Sequence, residues 1–124
     1  MLEEIIVTVD DRPGVLAEVG ELLGASNVNI ETFCATTVDG RGLIHLVVDD
    51  GEEAAELLAS NGLKVEATRP VMTTTLDDRP GELGRYCRKL ANQGIGISAA
   101  YVVRRGGGET ELLFAVDEME TSAV

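Results

Sequence analysis

Aromatic residues are scarce in this chain of 124 residues: two Phe, two Tyr and no Trp. Its core must therefore be built from Val, Leu, Ile and Ala. Cysteine is nearly absent too. Cys34 and Cys87 stand alone, in no metal-ligand or CxxC spacing, which excludes a disulfide framework, a zinc site and a redox dithiol. Both fall in strand and helix patterns and read as small core residues. Positive charge is the third shortage. Ten basic residues, only two of them lysines, face 22 acidic ones, for a net charge of −12. Such a surface repels phosphate backbones and anionic lipid, so nucleic acid and membranes are not expected partners. Apolar runs such as "LIHLVV" are far too short to span a bilayer. No basic, apolar, small-residue leader is visible, and the expected location is cytoplasmic. The single histidine, His45, lies mid-strand without a nucleophile or ligand companion and reads as a packing residue. No metal or cofactor is expected.

What the chain does have is a repeat. "TVDDRPGVL" at 8–16 aligns with "TLDDRPGEL" at 75–83 after a slide of 67 positions. The same order of elements follows each copy, as two copies of one unit would show. In the first, "EEIIVTVDD" alternates as a strand. Val15, Leu16, Val19, Leu22 and Leu23 then recur at helical spacing, and Gly24 is the expected helix stop. "NVNIETFCATTV" and "GLIHLVVDD" are strands joined by the hairpin turn "DGRG". "EEAAELLASNG" is a helix with its stop at Asn61–Gly62, its Glu52, Glu53 and Glu56 forming a solvated face. "LKVEATR" is a fourth strand. The order β-α-β-β-α-β is the ferredoxin-like arrangement: an antiparallel sheet with both helices on one face.

The second copy opens with "VMTTTLDD" and continues with a helix whose core stripe is Leu83, Tyr86 and Leu90. Strands "GIGISAAYVV" and "ETELLFAVDE" follow, joined by "RRGGG", where Arg104 and Arg105 read as exposed turn residues, the alternative being that they help hold an anionic ligand. Seven residues remain after Asp117, so the second copy lacks the final helix and strand or keeps a stub. The fold class is α+β, with repeats at 1–70 and 71–124. The fourth strand of this topology lies beside the first, so the truncated copy leaves its first strand as an open edge. That edge seeks a cover, from the strand ending near Arg69 or from another subunit. A homodimer is expected.

Two readings of "DDRPG" stand side by side. In one it is only a strand-to-helix corner: Asp caps the helix, Pro takes its first position and Gly serves the bend. In the other the same corner binds a ligand. Free N–H groups and the positive end of the helix dipole suit a carboxylate, and Asp11 or Asp78 suits an ammonium group. Together these match a free α-amino acid. No phosphate-binding fingerprint is present. A phosphatase-type reading of Arg12 fails for want of a nucleophile, so no enzyme activity is expected.

"DDRPGVLAEVGELLGASNVNI" (10–30) and "DDRPGELGRYCRKLANQGIGI" (77–97) resemble the ACT domain family in its tandem, stand-alone form. Both carry an Asp-x-Pro-Gly between first strand and helix, and an N-x-N-I or G-I-x-I opening of the next strand. The resemblance implies regulatory binding of small molecules, most often amino acids, at interfaces between ACT units. It places the ligand against Asp11, Arg12, Pro13, Gly14, Val15 and Leu16, with Asn29 and Ile30 facing it from a neighbouring unit. The second set is Asp78, Arg79, Pro80, Gly81, Glu82 and Leu83, with Ile97. Glu82 stands where the family has an apolar residue and Gly96 where it has an Asn, so the first site is expected to be the more competent. The partners implied are a free amino acid, a second copy of the chain and a regulated enzyme or regulator protein. The alternative is an interaction module whose loops are plain caps and whose sheet edge recruits a partner.

Overall fold

The structure, a computed structural model, describes residues 1–117. The chain divides into two compact units, Met1–Pro70 and Val71–Val124.

The first unit runs β1 (Glu3–Asp10), α1 (Val15–Ala25), β2 (Ile30–Val38), β3 (Arg41–Val48), α2 (Gly51–Ser60) and β4 (Lys64–Pro70). Its antiparallel sheet has the order β2-β3-β1-β4, so the fourth strand does lie beside the first. Residues at alternate positions of a strand share a face. Ile5, Val7 and Val9 of β1 thus point one way and pack with Val19 and Leu23 of α1 and Ala54 and Leu58 of α2, all buried. Both helices cover one face of the sheet.

The second unit runs β5 (Met72–Asp77), α3 (Glu82–Asn92), β6 (Ile97–Gly106) and β7 (Glu109–Val116), in the sheet order β5-β7-β6. β7 is central, and Leu112, Leu113, Phe114 and Ala115 are buried. The Tyr86 ring of α3 stands 5.3 Å from that of Phe114, and its hydroxyl meets Thr74 at 2.9 Å. Within its unit β5 is an edge strand. Any stub of a final helix would fall at residues 118–124, outside the described residues.

The three helices among the described residues end alike. Asn27, Gly62 and Gly94 take positive φ, and the following N–H of Val28, Leu63 and Ile95 bonds back to Leu23, Leu58 and Leu90. This is the Schellman closure. The first helix therefore runs past Gly24 to Ala25, because the left-handed residue Asn27 and not the nearest glycine sets the end. Asp39 and Gly40 (φ 50 and 77) make the two-residue β2–β3 turn, and Gly107 and Gly108 (φ 61 and 79) make the β6–β7 turn.

Three burial expectations fail and a fourth, Cys87, holds only in part. Leu16 and Leu83, read as core, are 41% and 55% exposed at equivalent places in the first turns of α1 and α3. Cys34 is exposed and Cys87 half-buried. Cys34 follows from its strand: β2 is an edge, exposed at every residue from Phe33 to Val38.

Candidate functional site

Each strand-to-helix corner is a β-turn followed directly by a helix. In the first, the Val15 N–H donates to the Arg12 carbonyl at 3.4 Å, so Pro13 and Gly14 are the central residues. Gly14 has φ 90 and ψ −10, the second central position of a type II turn. The second corner repeats this: Glu82 N–H to Arg79 C=O at 3.3 Å, and Gly81 at φ 91 and ψ −16. Pro fixes the first central residue, and only Gly adopts the second without strain.

The cap expected of Asp is not observed. Gly14 and Gly81 are themselves the N-caps, with no side-chain cap bond, and Pro13 and Pro80 precede the cap. The type II turn uses the Pro-Gly pair ahead of the helix, which carries the Asp side chains away from its first amides. An Asp cap does occur on α2, where Asp50 accepts from the Glu53 N–H at 3.1 Å. Consequently the N–H groups of Leu16 and Ala17, and of Leu83 and Gly84, have no partner among the described residues.

The two corners differ in their charged surroundings. In the first, Arg12 lies across the start of α1 and pairs with both carboxylate oxygens of Glu18, at 3.1 and 2.8 Å. That hydrogen bond holds the Glu18 carboxyl below its usual range and raises Arg12. Asp11 is exposed and makes no side-chain bond among the described residues. A hollow of about 290 Å³ beside this corner is lined by Arg12, Val15 and Glu18 with Asp10, Arg41 and Lys64. Asp11, Pro13, Gly14 and Leu16 do not line it.

In the second corner the Asp78 carboxylate is held by Arg105, with Nη2 at 2.9 and 2.8 Å and Nε at 3.3 Å. The Asp78 N–H also donates to the Gly108 carbonyl at 2.9 Å, tying the corner to the β6–β7 turn. Glu82 accepts from Arg79 at 3.2 Å and Arg85 at 3.0 Å. Asp78, Arg79, Glu82 and Leu83 come together around a hollow of about 210 Å³.

Asn29 and Ile30 do not join Gly14 within their own repeat. Ile30 opposes Val48, which opposes Glu3, at the far end of β1 from the corner. The 11 residues of α1 intervene, a rise of about 16 Å. Ile97 is likewise separated from Gly81 by α3. Gly96 has a local reason: a Cβ there would strike the Asp117 carboxylate, whose backbone N–H donates to the Gly96 carbonyl at 2.9 Å.

Arg105 is exposed, as its place in the β6–β7 hairpin suggests, but its pairing with Asp78 was not foreseen in the sequence. Arg104 is paired too, with Glu111 at 2.7 Å. Among the described residues no group of three His, Cys, Asp or Glu side chains is arranged to hold a metal ion, and no helix is long and apolar enough to cross a membrane.

A family model described as an ACT domain pair matches residues 1–123. A search of curated protein sequences found no match. Among solved structures, a protein of Bacteroides thetaiotaomicron superposes with a TM-score of 0.82 at 21% identity, over 98% of this chain and 83% of that one. The regulatory subunit of aspartate kinase from Thermus thermophilus, in its ligand-free form, gives 0.71 at 15% identity, over 98% and 87%. That from Thermus flavus gives 0.68 at 17%, over 92% and 82%. At these identities the likeness is one of fold.

Proposed function

Because the chain belongs to the ACT domain-pair family, we propose that it is a regulatory protein without catalytic activity that binds a free amino acid at its strand-to-helix corners. Repeats 1–70 and 71–124 each supply one corner. The observation that carries this reading is the pair of amides in the first turns of α1 and α3 that have no partner among the described residues, beside a glycine that bares the backbone and an exposed leucine. Amides at the positive end of a helix suit the ligand carboxylate. Asp11, lacking a side-chain partner among the described residues, suits its ammonium group, and Leu16 suits its apolar carbons. Asn29 and Ile30, distant in their own repeat, fit the expectation that a second copy of the chain completes the pocket. A homodimer in the cytoplasm that signals to a regulated enzyme or regulator protein follows from the same reading. The regulatory subunits of aspartate kinase that share the fold support it. A thermal-shift screen against the twenty amino acids tests it: the expected result is a raised melting point with at least one, and no shift at millimolar concentrations with any overturns it.

The second reading, an interaction module, is favoured by strand β2. Among the described residues it is an edge of its unit's sheet, carrying Phe33 and Val38 at 53% and 54% exposure, and open edges recruit strands. The partner proposed there is a second copy of this chain. Sedimentation of the Phe33→Lys variant tests it: a shift toward monomer supports the reading, and unchanged mass overturns it.

A further inference from the structure

Helices α1 and α3 occupy the same positions of the repeat, since Val15–Ala25 falls on Glu82–Asn92 after a slide of 67. Their inward sides keep their kind: Leu23 falls on Leu90, and both are buried. Their outward sides reverse in charge. Glu18 falls on Arg85, Glu21 on Arg88, Leu22 on Lys89 and Ala25 on Asn92. Residues spaced i, i+3, i+4 and i+7 lie on one face of a helix, so each set is a single stripe. Leu22 is half-buried and the other seven residues are exposed.

The reversal extends to the helices as a whole. Neither α1 nor α2 contains a base, and every charged residue in them is a glutamate. In a chain of net charge −12 with ten basic residues, α3 alone carries Arg85, Arg88 and Lys89 beside the one acid Glu82. Glu21, Arg88 and Lys89 have no ion-pair partner among the described residues. Along the acidic stripe runs a hollow of about 370 Å³, lined by Glu18, Glu21, Leu22 and Ala25 together with Asn61.

We propose that α3 of one copy of the chain docks against α1 of a second copy. The aliphatic stems of Arg88 and Lys89 lie over Leu22 and Ala25 in the hollow, and their charged heads meet Glu21 and Glu18. A two-fold axis supplies the reciprocal contact, α1 of the first copy against α3 of the second. Like helices are kept apart: α1 against α1 sets Glu21 facing glutamate, and α3 against α3 sets Arg88 facing arginine. Opposite charge at equivalent places of the repeat therefore selects first repeat on second and rejects first on first. Exposed ion pairs contribute little affinity each, so the covered stems and Leu22 supply the adhesion and the charges the choice of partner. The occupant is a second copy and not an unrelated basic segment, because the complementary stripe is present in this chain, on a helix of the same length and place. The proposal sharpens the homodimer of the proposed function by naming the surfaces that meet. It requires neither a bound amino acid nor pairing along β2.

Sedimentation equilibrium of the full chain over a range of concentrations tests this, with Glu21→Arg, Arg88→Glu and the double variant that carries both. All the changes lie at exposed positions, and thermal melts confirm that each variant folds. The wild type is expected to self-associate, and more weakly as salt rises. Each single reversal sets like charges together at both symmetry-related contacts and should weaken association at least about tenfold. The double variant should recover most of that loss. An equimolar mixture of the two single variants should recover it too, because every contact in the mixed dimer is again between opposite charges. A dimer whose strength is indifferent to the single reversals overturns the helix contact and leaves the homodimer standing. So does a dimer that Glu21→Arg weakens and Arg88→Glu does not, or a double variant in which the two losses add. A wild-type chain that stays monomeric throughout overturns both the contact and the homodimer.

Discussion

His45 Nδ1 stands 3.1 Å from the carboxylate of Glu4, a side chain with no exposure at all, and Arg69 closes on the other oxygen at 2.8 Å. The three lie on neighbouring strands β3, β1 and β4, with Glu4 directly opposite Arg69. Removing the cation from a buried pair leaves a buried charge, which is worse than removing both partners. Arg69→Ala is expected to destabilise the chain by about 3 kcal/mol. Adding Glu4→Gln to that variant should recover part of the loss, since a neutral amide tolerates burial better. Chemical denaturation of the two single variants and the double variant reads the coupling, and strict additivity would show that the two side chains act independently.

Gly14 and Gly81 share one conformation, and an added Cβ at either would meet nothing within 4 Å. The penalty for alanine is thus purely that of a left-handed backbone, about 1–2 kcal/mol. Gly14→Ala and Gly81→Ala should each lower the melting point of the unit concerned, by about 4–8 °C per kcal/mol for a domain of this size. Similar losses at the two positions are expected, because the turns match to within a few degrees. Differential scanning calorimetry measures both.

These glycines were legible in the sequence because Pro-Gly after a strand specifies a turn almost by itself. The sheet order of the first unit was legible too, through alternation in "EEIIVTVDD" and the repeat of whole elements. What escaped the reading depends on which face is covered and by what. Leu16 and Leu83 fit the helical stripe by spacing, yet first-turn residues meet few neighbours. Glu4 reads as a surface residue of an alternating strand, because spacing does not reveal that both faces of β1 are covered at that point. The register of β6 with β7 jumps between Val102 and Arg104, which leaves no mark in "AAYVVRRGG", so the pairing of Arg105 with Asp78 emerges only with the structure. Asn27 lost to Gly24 for a related reason: the stop is set by where the hydrophobic stripe ends, at Leu23, and not by the first flexible residue.

The Arg12–Glu18 pair predicts a small acid-side effect. The carboxyl of Glu18 is depressed by its bonds to Arg12, so any stabilisation it brings is complete above the ordinary glutamate value and is lost as pH falls through the lower, folded value. Both side chains are about half exposed, so the effect on stability is slight. The titration itself is the sensitive readout. In an NMR titration Glu18 should protonate below an ordinary glutamate, and in Arg12→Gln it should return to the ordinary range. An unchanged midpoint in that variant would show that Arg12 does not hold the carboxylate in solution.

The exposure of Cys34 gives a test of what covers β2. Its thiol lies on the edge strand, whereas Cys87 is half-buried on α3. In dilute protein Cys34 should react with a thiol reagent well ahead of Cys87, since the reagent must reach the sulfur. If two copies pair along this edge, the Cys34 rate should fall as protein concentration rises, while that of Cys87 does not. The Phe33→Lys variant should abolish this concentration dependence.

Gly14→Asp separates the ligand reading from the plain-corner reading. Any side chain at this position carries the left-handed penalty, so loss of stability alone decides nothing, and Gly14→Ala provides the reference. The aspartate differs from alanine by a carboxylate beside the amides of Leu16 and Ala17, which have no partner among the described residues. An anion there is attracted by the helix terminus and competes with the carboxylate of a bound amino acid. A ligand at a hundredfold excess over its dissociation constant stabilises the native chain by about 2.7 kcal/mol. If the first corner is a binding site, that increment should persist in Gly14→Ala and vanish in Gly14→Asp. The oligomeric state should be the same in both, because the two variants differ only in one exposed side chain. If the corner only joins a strand to a helix, the two variants should respond to every amino acid alike.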